Sequence, residues 1–382
     1  MIESLYNHLD SMKSNKPNLF SPYTVNVSGE NYKKMEQASH LIDKIMEAPS
    51  FIKATLPSRP SIAHFQPCNF SAMIGYDFHI TPTGPKLIEI NTNAGGLMTS
   101  ALWRLRDEPK HAEKVVQKMV NMFHTEYSNW KKNPTDRIQH IAIVDRDPFS
   151  EFTIDDFNLT KAAFEEHGIE VSICRADQLI LRNNHLYAPD HKICIDLVYN
   201  RSCDFYFQEE GSSTLRKAYL NRSVCVTPNP YGYGLLSDKR SLALLYRLVL
   251  SEESILKSDE KEILEDVILP THMLYSDYDK FTSKKNKWFF KPINLHAGIG
   301  AFRGDKISRK KLLELNPIEY IVQETAKPEE IPMVDGSYKY DLRLFTHQNV
   351  TIDISSRLYK GRLTNFRKFN GGYTKVKVIP QI

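Results

Sequence analysis

Residues 70–96 read FSAMIGYDFHITPTGPKLIEINTNAGG. Two apolar runs, FSAMIGYDFHI and KLIEINT, flank Thr81-Pro82-Thr83-Gly84-Pro85, and proline with glycine in so short a gap is turn chemistry. The stretch therefore reads as a β-hairpin. Side chains alternate along a strand, so Glu89 and Asn91 share a face. Asp77, on the neighbouring strand, can face the same side. Two carboxylates and an amide oxygen form a hard, all-oxygen donor set. That set suits Mg2+, which takes few protein ligands and fills its shell with water and phosphate oxygens. The bland alternative is a polar, solvent-facing hairpin. The apolar neighbours in GYDF and LIEINT favour a site.

Outward from the hairpin, residues 32–47 carry Met35, Ala38, Leu41, Ile42 and Ile45 at helix spacing. A second helix is expected over about 112–124. Lys131-Lys132-Asn133-Pro134 reads as a linker. Beyond it, HIAIVDR, the amphipathic FNLTKAAFEEHG, IEVSICRA and KICIDLVYN alternate strand and helix. That order predicts an α/β unit with a parallel sheet, completed by a helix over 213–220 and the strand VCVTP. Helices over 238–250 and 252–266 follow. NKWFFKPI and AFRGDK read as a hairpin around a glycine-bearing turn, and EYIVQET, YDLRLFTH, VTIDISSRLY and YTKVKVI as strands. No internal repeat is visible, and residues 1–30 carry no readable motif.

Composition bounds the class. The chain has 382 residues, 41% hydrophobic and 25% charged, which is globular usage with room for two or three domains. No apolar run approaches a membrane span. The start, MIESLYNHLD, is polar and unlike a secretory signal, so the expected compartment is the cytoplasm. Five cysteines without a C-x-x-C pair argue against a disulfide framework or a zinc knuckle; they are expected to be reduced and mostly buried. The formal charge of +4 does not by itself imply nucleic acid. Its distribution is uneven, because residues 354–382 hold seven basic side chains and no acidic one. A solvated basic face or an anion site would each account for that.

Three further groups suit an anion. Lys291 ends the strand WFFK, and the turn His296-Ala297-Gly298-Ile299-Gly300 follows, where glycines let backbone N–H groups close around phosphate oxygens; a plain hairpin turn reads these residues equally well. The spacing is not G-x-G-x-x-G, which disfavours a dinucleotide fold. Lys239 opens an apolar helix, and a helix start with a lysine favours an anion, although such a lysine alone is more often a surface charge. Arg357, Arg362 and Arg367 punctuate the basic stretch, and Arg grips carboxylate or phosphate in bidentate fashion. Tyr199-Asn200-Arg201-Ser202-Cys203-Asp204 lies at a strand end of the α/β unit, where such sheets bind ligands.

Together these segments resemble an ATP-grasp ligase in circularly permuted order. Tyr340-Asp341-Leu342-Arg343-Leu344 is similar to that superfamily's D-x-R strand. Arg357 with Asn365…Gly371-Gly372 resembles its basic N-x-x-x-G-G segment. The D-F strand and E-x-N metal strand that should come last stand instead at Asp77-Phe78 and Glu89-Ile90-Asn91. Eukaryotic glutathione synthetase and the glutathionylspermidine synthetase-like proteins share this order, and the resemblance covers most of residues 65–382. It implies an α/β fold of mixed α+β character, a permuted ATP-grasp core with an inserted Rossmann-like α/β substrate domain. The implied division is 1–130 for the metal hairpin half of the core, 131–230 for the substrate domain, 231–320 for the lid with the phosphate lysines, and 321–382 for the remaining core strands.

The resemblance also implies roles. Asp77, Glu89 and Asn91 would hold one or two Mg2+ ions. Lys239, Lys291, His296, Gly298 and Gly300 would surround the ATP phosphates, with Gln323 and Glu324 at the hinge beside adenine. Arg357, Asn365 and Arg367 would face the transferred phosphate and the acyl group, and Arg201, Asp204 and Arg343 the substrate. The implied activity is ADP-forming ligation of a small-molecule carboxylate to an amine. No nucleic acid or membrane partner is expected, and a homodimer is left open. Where eukaryotic glutathione synthetase has an acidic metal ligand after the second lysine, this chain has Leu295-His296. Two other readings stand beside the ligase: a kinase on the same ATP site, and a non-catalytic nucleotide- or RNA-binding module using the basic tail.

Overall fold

The computed structural model describes residues 2–150, 154–189, 192–251, 255–295, 298–333, 335–361 and 370–380. The first part of the chain contributes β1 (Phe20–Ser28), β2 (Ile74–Thr81) and β3 (Gly84–Asn91). The next part gives β4 (His140–Asp145), β5 (Glu170–Arg175), the short hairpin β6 (Ile180–Arg182) and β7 (His185–Tyr187), then β8 (Leu197–Asn200) and β9 (Cys225–Thr227). There follow β10 (Thr271–Met273), β11 (Trp288–Pro292), β12 (Phe302–Arg303) and β13 (Tyr320–Glu324). The end of the chain gives β14 (Glu330–Met333), β15 (Gly336–His347), β16 (Val350–Tyr359) and β17 (Gly372–Ile379).

The largest sheet runs β1-β17-β16-β15-β2-β3, with β14 also on β15. Its pairs are antiparallel except β1 with β17. The hairpin read from residues 70–96 is thus the β2–β3 edge of a sheet completed by the last 50 residues. The two ends of the chain are neighbours, since Val25 to Ser28 pair with Val376 to Ile379. The strand β1 carries Pro22, which cannot donate to a ladder. It lies at the sheet edge, and its register shifts between Phe20 and Thr24, where a missing N–H costs least.

One face of this sheet is apolar. The helix Gly29–Met46 turns Met35, Ala38, Ile42 and Ile45 onto Tyr76, Phe78, Leu342 and Leu344. Each large side chain buried there contributes about 1.5–3 kcal/mol. The other face is divided. One end packs on the helices Ile2–Asn15, Leu97–Trp103 and Pro109–Lys131. The other end carries the charged residues described below.

A parallel sheet, β5-β4-β8-β9, follows the linker. Covered on both faces, its strands are continuous apolar runs, as in buried parallel sheets. One face shares its core with the helix Pro109–Lys131, so a common apolar cluster joins it to the large sheet. The third sheet, β10-β13-β11-β12, closes over Phe281, Trp288 and Phe290. All five cysteines are free. The expectation that most are buried is corrected: only Cys174 and Cys225 are, Cys194 is half-buried, and Cys68 and Cys203 sit exposed in loops. Among the described residues no helix is long and apolar enough to cross a membrane.

The apolar face holds one ionisable pair. Tyr76 donates its hydroxyl to Asp43 in a short hydrogen bond. Burial pushes the Asp43 carboxyl up to about 7, against the lowering effect of that bond. The folded state then holds a proton that the unfolded chain has released above its own carboxyl pKa of about 3.9. Stability from this group is present below that value and is lost as pH rises toward 7. At ~1.4 kcal/mol per pKa unit the change is a few kcal/mol. Asp43→Asn keeps the acceptor for Tyr76 without the charge. Urea unfolding should therefore show the variant gaining on the parent between pH 4 and pH 8; an equal difference at both ends contradicts this.

Candidate functional site

The charged end of the large sheet is assembled by register. Asp77 pairs with Glu89 across β2–β3 and with Arg343 across β2–β15, while Asp341 pairs with Arg357 across β15–β16. Their side chains face away from Tyr76 and Phe78, which point to the helix. Arg343 grips Asp77 with both Nε and Nη2 at 2.6 Å, a bidentate fork. Arg357 forks onto Asp341 at 2.8 and 3.0 Å and reaches Asp77 at 3.4 Å. Asn91 donates Nδ2 to Asp77 at 3.2 Å.

A bulge lies beside this cluster. The β2–β3 register shifts between Asp77 and Phe78, whose partners are Glu89 and Leu87, so Ile88 has no partner of its own. Bulges interrupt the ladder and re-aim neighbouring groups. Here the Ile88 carbonyl accepts from Lys291 Nζ at 2.8 Å. Lys291 also donates to Gln323 Oε1 at 2.7 Å. Lys239, at the start of the helix Arg240–Leu250, places Nζ 3.0 Å from Glu89 Oε1 and 2.7 Å from the Leu295 carbonyl.

The electrostatics follow from that packing. Burial pushes the Glu89 carboxyl up, but Lys239, Lys291 and Arg343 outweigh it and hold the group at about 2. Burial pulls the Lys291 ammonium down to about 8, with Lys239 adding to the fall while Glu89 and Asp77 resist it. Glu89 is thus ionised throughout the physiological range.

The other expected residues divide. Arg201 ends β8 and donates Nη1 to the Asn93 side chain and to the Asn93 carbonyl at 3.2 Å. Its Nε is buried with no partner, and it makes no ion pair among the described residues. A Cβ on Gly95 would lie 2.8 Å from its Nη2. Gly95 also accepts from Arg343 Nη1 at 3.2 Å. The Asn93–Gly96 backbone therefore separates the Asp77 cluster from Arg201. Gly298 and Gly300 both have positive φ, 72° and 69°, and Tyr320 donates to the Gly300 carbonyl at 3.1 Å. Gln323 faces Lys291, whereas Glu324 lies 3.3 Å from Lys287 at the sheet's rim. Asp204 accepts from the Gln208 and Glu209 amides, so its carboxylate closes its own loop. His296, Asn365 and Arg367 lie outside the described residues.

Two members were not assigned from sequence. Asp341 was part of a quoted strand, but its grip on Arg357 depends on register. Tyr373 lies over Gly96, where a Cβ would overlap its ring and hydroxyl; Gly96 has φ 91°. The glycine pair at 95–96 was the available signal.

Among the described residues no three His, Cys, Asp or Glu are placed to hold a metal. Asp77, Glu89 and the Asn91 carboxamide offer a partial oxygen shell on one face. Such a set fits an ion that brings water and phosphate oxygens with it.

The ion-pair cluster carries a stability prediction. Asp77 and Arg343 are both largely buried, at 8% and 12% side-chain exposure. Removing one partner of such a pair strands the other. Asp77→Ala should lower the unfolding free energy by about 3 kcal/mol in urea titration; a loss under about 1 kcal/mol would show the pair to be solvated.

No family model and no curated protein matches the sequence. Solved structures do match in fold. A glutathione synthetase-like effector from Globodera pallida superposes over 99% of this chain and 96% of its own, with a TM-score of 0.61 and 15% identity. A protein provisionally named gamma-glutamylcysteine synthetase, from Methylobacillus flagellatus, superposes over 86% of this chain and 82% of its own, with a TM-score of 0.50 and 9% identity. At these identities the shared property is the fold, a mixed α/β architecture of several sheets like that of glutathione synthetase-like proteins.

Proposed function

We propose that this chain is an ADP-forming carboxylate–amine ligase with an ATP-grasp core in circularly permuted order. The observation that carries the reading is the convergence of Lys239 and Lys291 on the Glu89 strand, from a helix and a sheet more than 140 residues away in sequence. The adjacency of β1 and β17 supports the permutation, because rejoining a chain elsewhere requires ends that lie close together. The fold shared with synthetase-like structures supports the class.

In this reading Lys239 and Lys291 grip the ATP phosphates, and the turn through Gly298 and Gly300 covers them. Asp77, Glu89 and Asn91 would hold Mg2+, which when bound neutralises phosphate charge. Arg357 and Arg343 present a cationic wall to the phosphoryl group, and Arg201 anchors the acid substrate from the parallel sheet. A carboxylate oxygen of the substrate attacks the γ-phosphorus. The bond to the β-phosphate oxygen breaks, and ADP leaves with the electron pair. The amine nitrogen then attacks the acyl carbon, inorganic phosphate departs, and the amine loses a proton. Two anions must be brought together in the first step, so electrostatic stabilisation and positioning carry most of the catalysis. Exclusion of water protects the acyl phosphate.

ADP release measured across mixtures of amino acids, γ-glutamyl peptides and polyamines, with product mass read in parallel, tests this. A new amide with equimolar ADP and phosphate is expected. Lys291→Ala and Glu89→Gln should each lower turnover on the order of 10²–10³-fold with folding retained. Near-parental turnover in either variant contradicts the assignment, and a phosphorylated product without an amide would identify a kinase instead.

A further inference from the structure

A second polar site lies at the end of the large sheet where β2 begins and β15 turns into β16. The C-terminal end of the helix Gly29–Met46, the loop before β2 and the helix Pro109–Lys131 enclose a cavity of about 120 Å3. At roughly 30 Å3 per water it has room for about four waters, or a ligand of a few heavy atoms.

The lining is of two kinds. Met46, Phe70, Ile74 and Leu236 are its apolar part. Asp43, Glu47 and Glu126 are its acidic part, with no Lys or Arg among the lining residues. The carbonyl end of the helix, capped by Glu47, adds partial negative charge. Glu126 is fully buried and satisfied: it accepts from the Phe70 amide at 2.9 Å, Asn69 Nδ2 at 3.1 Å and His347 Nε2 at 3.1 Å. Asp43 is not satisfied. It is 5% exposed, its Oδ1 takes the Tyr76 hydroxyl, and its Oδ2 is buried with no partner. When ionised, that oxygen is a buried acceptor left open at a cost of about 1–3 kcal/mol; the carboxyl avoids this by holding a proton up to about pH 7, and a cationic donor bound there would take the proton's place. Exposed Glu47, Cys68 and Gln348 form a rim through which one could enter.

That donor has a definite chemistry. It is cationic, because three carboxylates line the cavity beside the neutral Ser71, Asn129 and Gln348, with no Lys or Arg to offset them. It is not a divalent metal held by protein, because no three metal-ligating side chains converge among the described residues. It carries a short apolar part, because Met46, Phe70, Ile74 and Leu236 are four of the eleven lining residues. We propose that this cavity binds a small primary alkylammonium, with its head on Asp43 and its alkyl chain against Met46, Phe70, Ile74 and Leu236. None of these residues belongs to the proposed nucleotide site, so the inference stands or falls separately from the ligase reading.

Thermal unfolding of the full chain tests it with n-propylammonium chloride as probe, against propan-1-ol and potassium chloride at matched concentration and ionic strength. A ligand bound only by the folded state raises Tm saturably. The expected result is a rise of several degrees with propylammonium alone, abolished in Asp43→Asn and weakened several-fold in binding in Glu47→Gln, a rim change that leaves the core intact. Equal stabilisation by potassium chloride would make this an inorganic-cation site and overturn the proposal. Equal stabilisation by propan-1-ol, no stabilisation by any probe, or an undiminished effect in Asp43→Asn would overturn it as well.

Discussion

The Asp77 carboxylate is where the two ends of the chain are tied together. It sits on β2, from the first quarter of the sequence, and is forked by Arg343 on β15 and approached by Arg357 on β16. Such buried pairs add little net stability, because desolvation offsets most of the attraction. The apolar face under the helix Gly29–Met46 supplies the stability. What the ion pairs fix is register. A one-residue slip of β2 would turn Asp77 into the apolar layer and leave both guanidinium groups facing an uncompensated sheet. The position of the Glu89 hairpin beside the lysines follows from that register.

The resulting face is charge-rich and nearly balanced. Lys239, Lys291, Arg343 and Arg357 stand among Asp77, Glu89 and Asp341, so one positive charge is left over. Each ammonium is engaged by groups of the same site: Lys239 by Glu89 and the Leu295 carbonyl, Lys291 by the bulged Ile88 carbonyl and Gln323. A polyphosphate would have to exchange with these contacts. Lowered dielectric makes each exchange energetically large.

Much of this was legible from sequence, and the limits have physical causes. The β2–β3 hairpin announced itself through alternation and turn residues, and the helix at 29–46 through its period. The strand–helix alternation from residue 140 matched the parallel sheet, although only Leu197–Asn200 of the run KICIDLVYN is strand. The N-terminal 30 residues were unread, yet they form a helix and the edge strand β1. Leu5, Leu9 and Met12 are buried at helix spacing, a signal too sparse to stand alone. Pairing between distant strands was not readable from local pattern. That Asp341 would hold Arg357, or that Tyr373 would cover Gly96, depends on register across segments far apart in sequence, which local pattern does not encode. Chemistry-bearing residue types were visible; which of them meet was decided by the sheet. Asp204 shows the converse, since its place near Arg201 in sequence suggested a ligand, but its carboxylate is used by its own loop.

The most direct measurement is an anomalous difference map from crystals grown with Mn2+ and a non-hydrolysable ATP analogue. A manganese peak within coordination distance of the Glu89 carboxylate, with nucleotide phosphates in contact with the Lys239 and Lys291 ammonium groups, is the expected result. Nucleotide bound elsewhere on the molecule, or a metal with no contact to the β2–β3 hairpin, would contradict it.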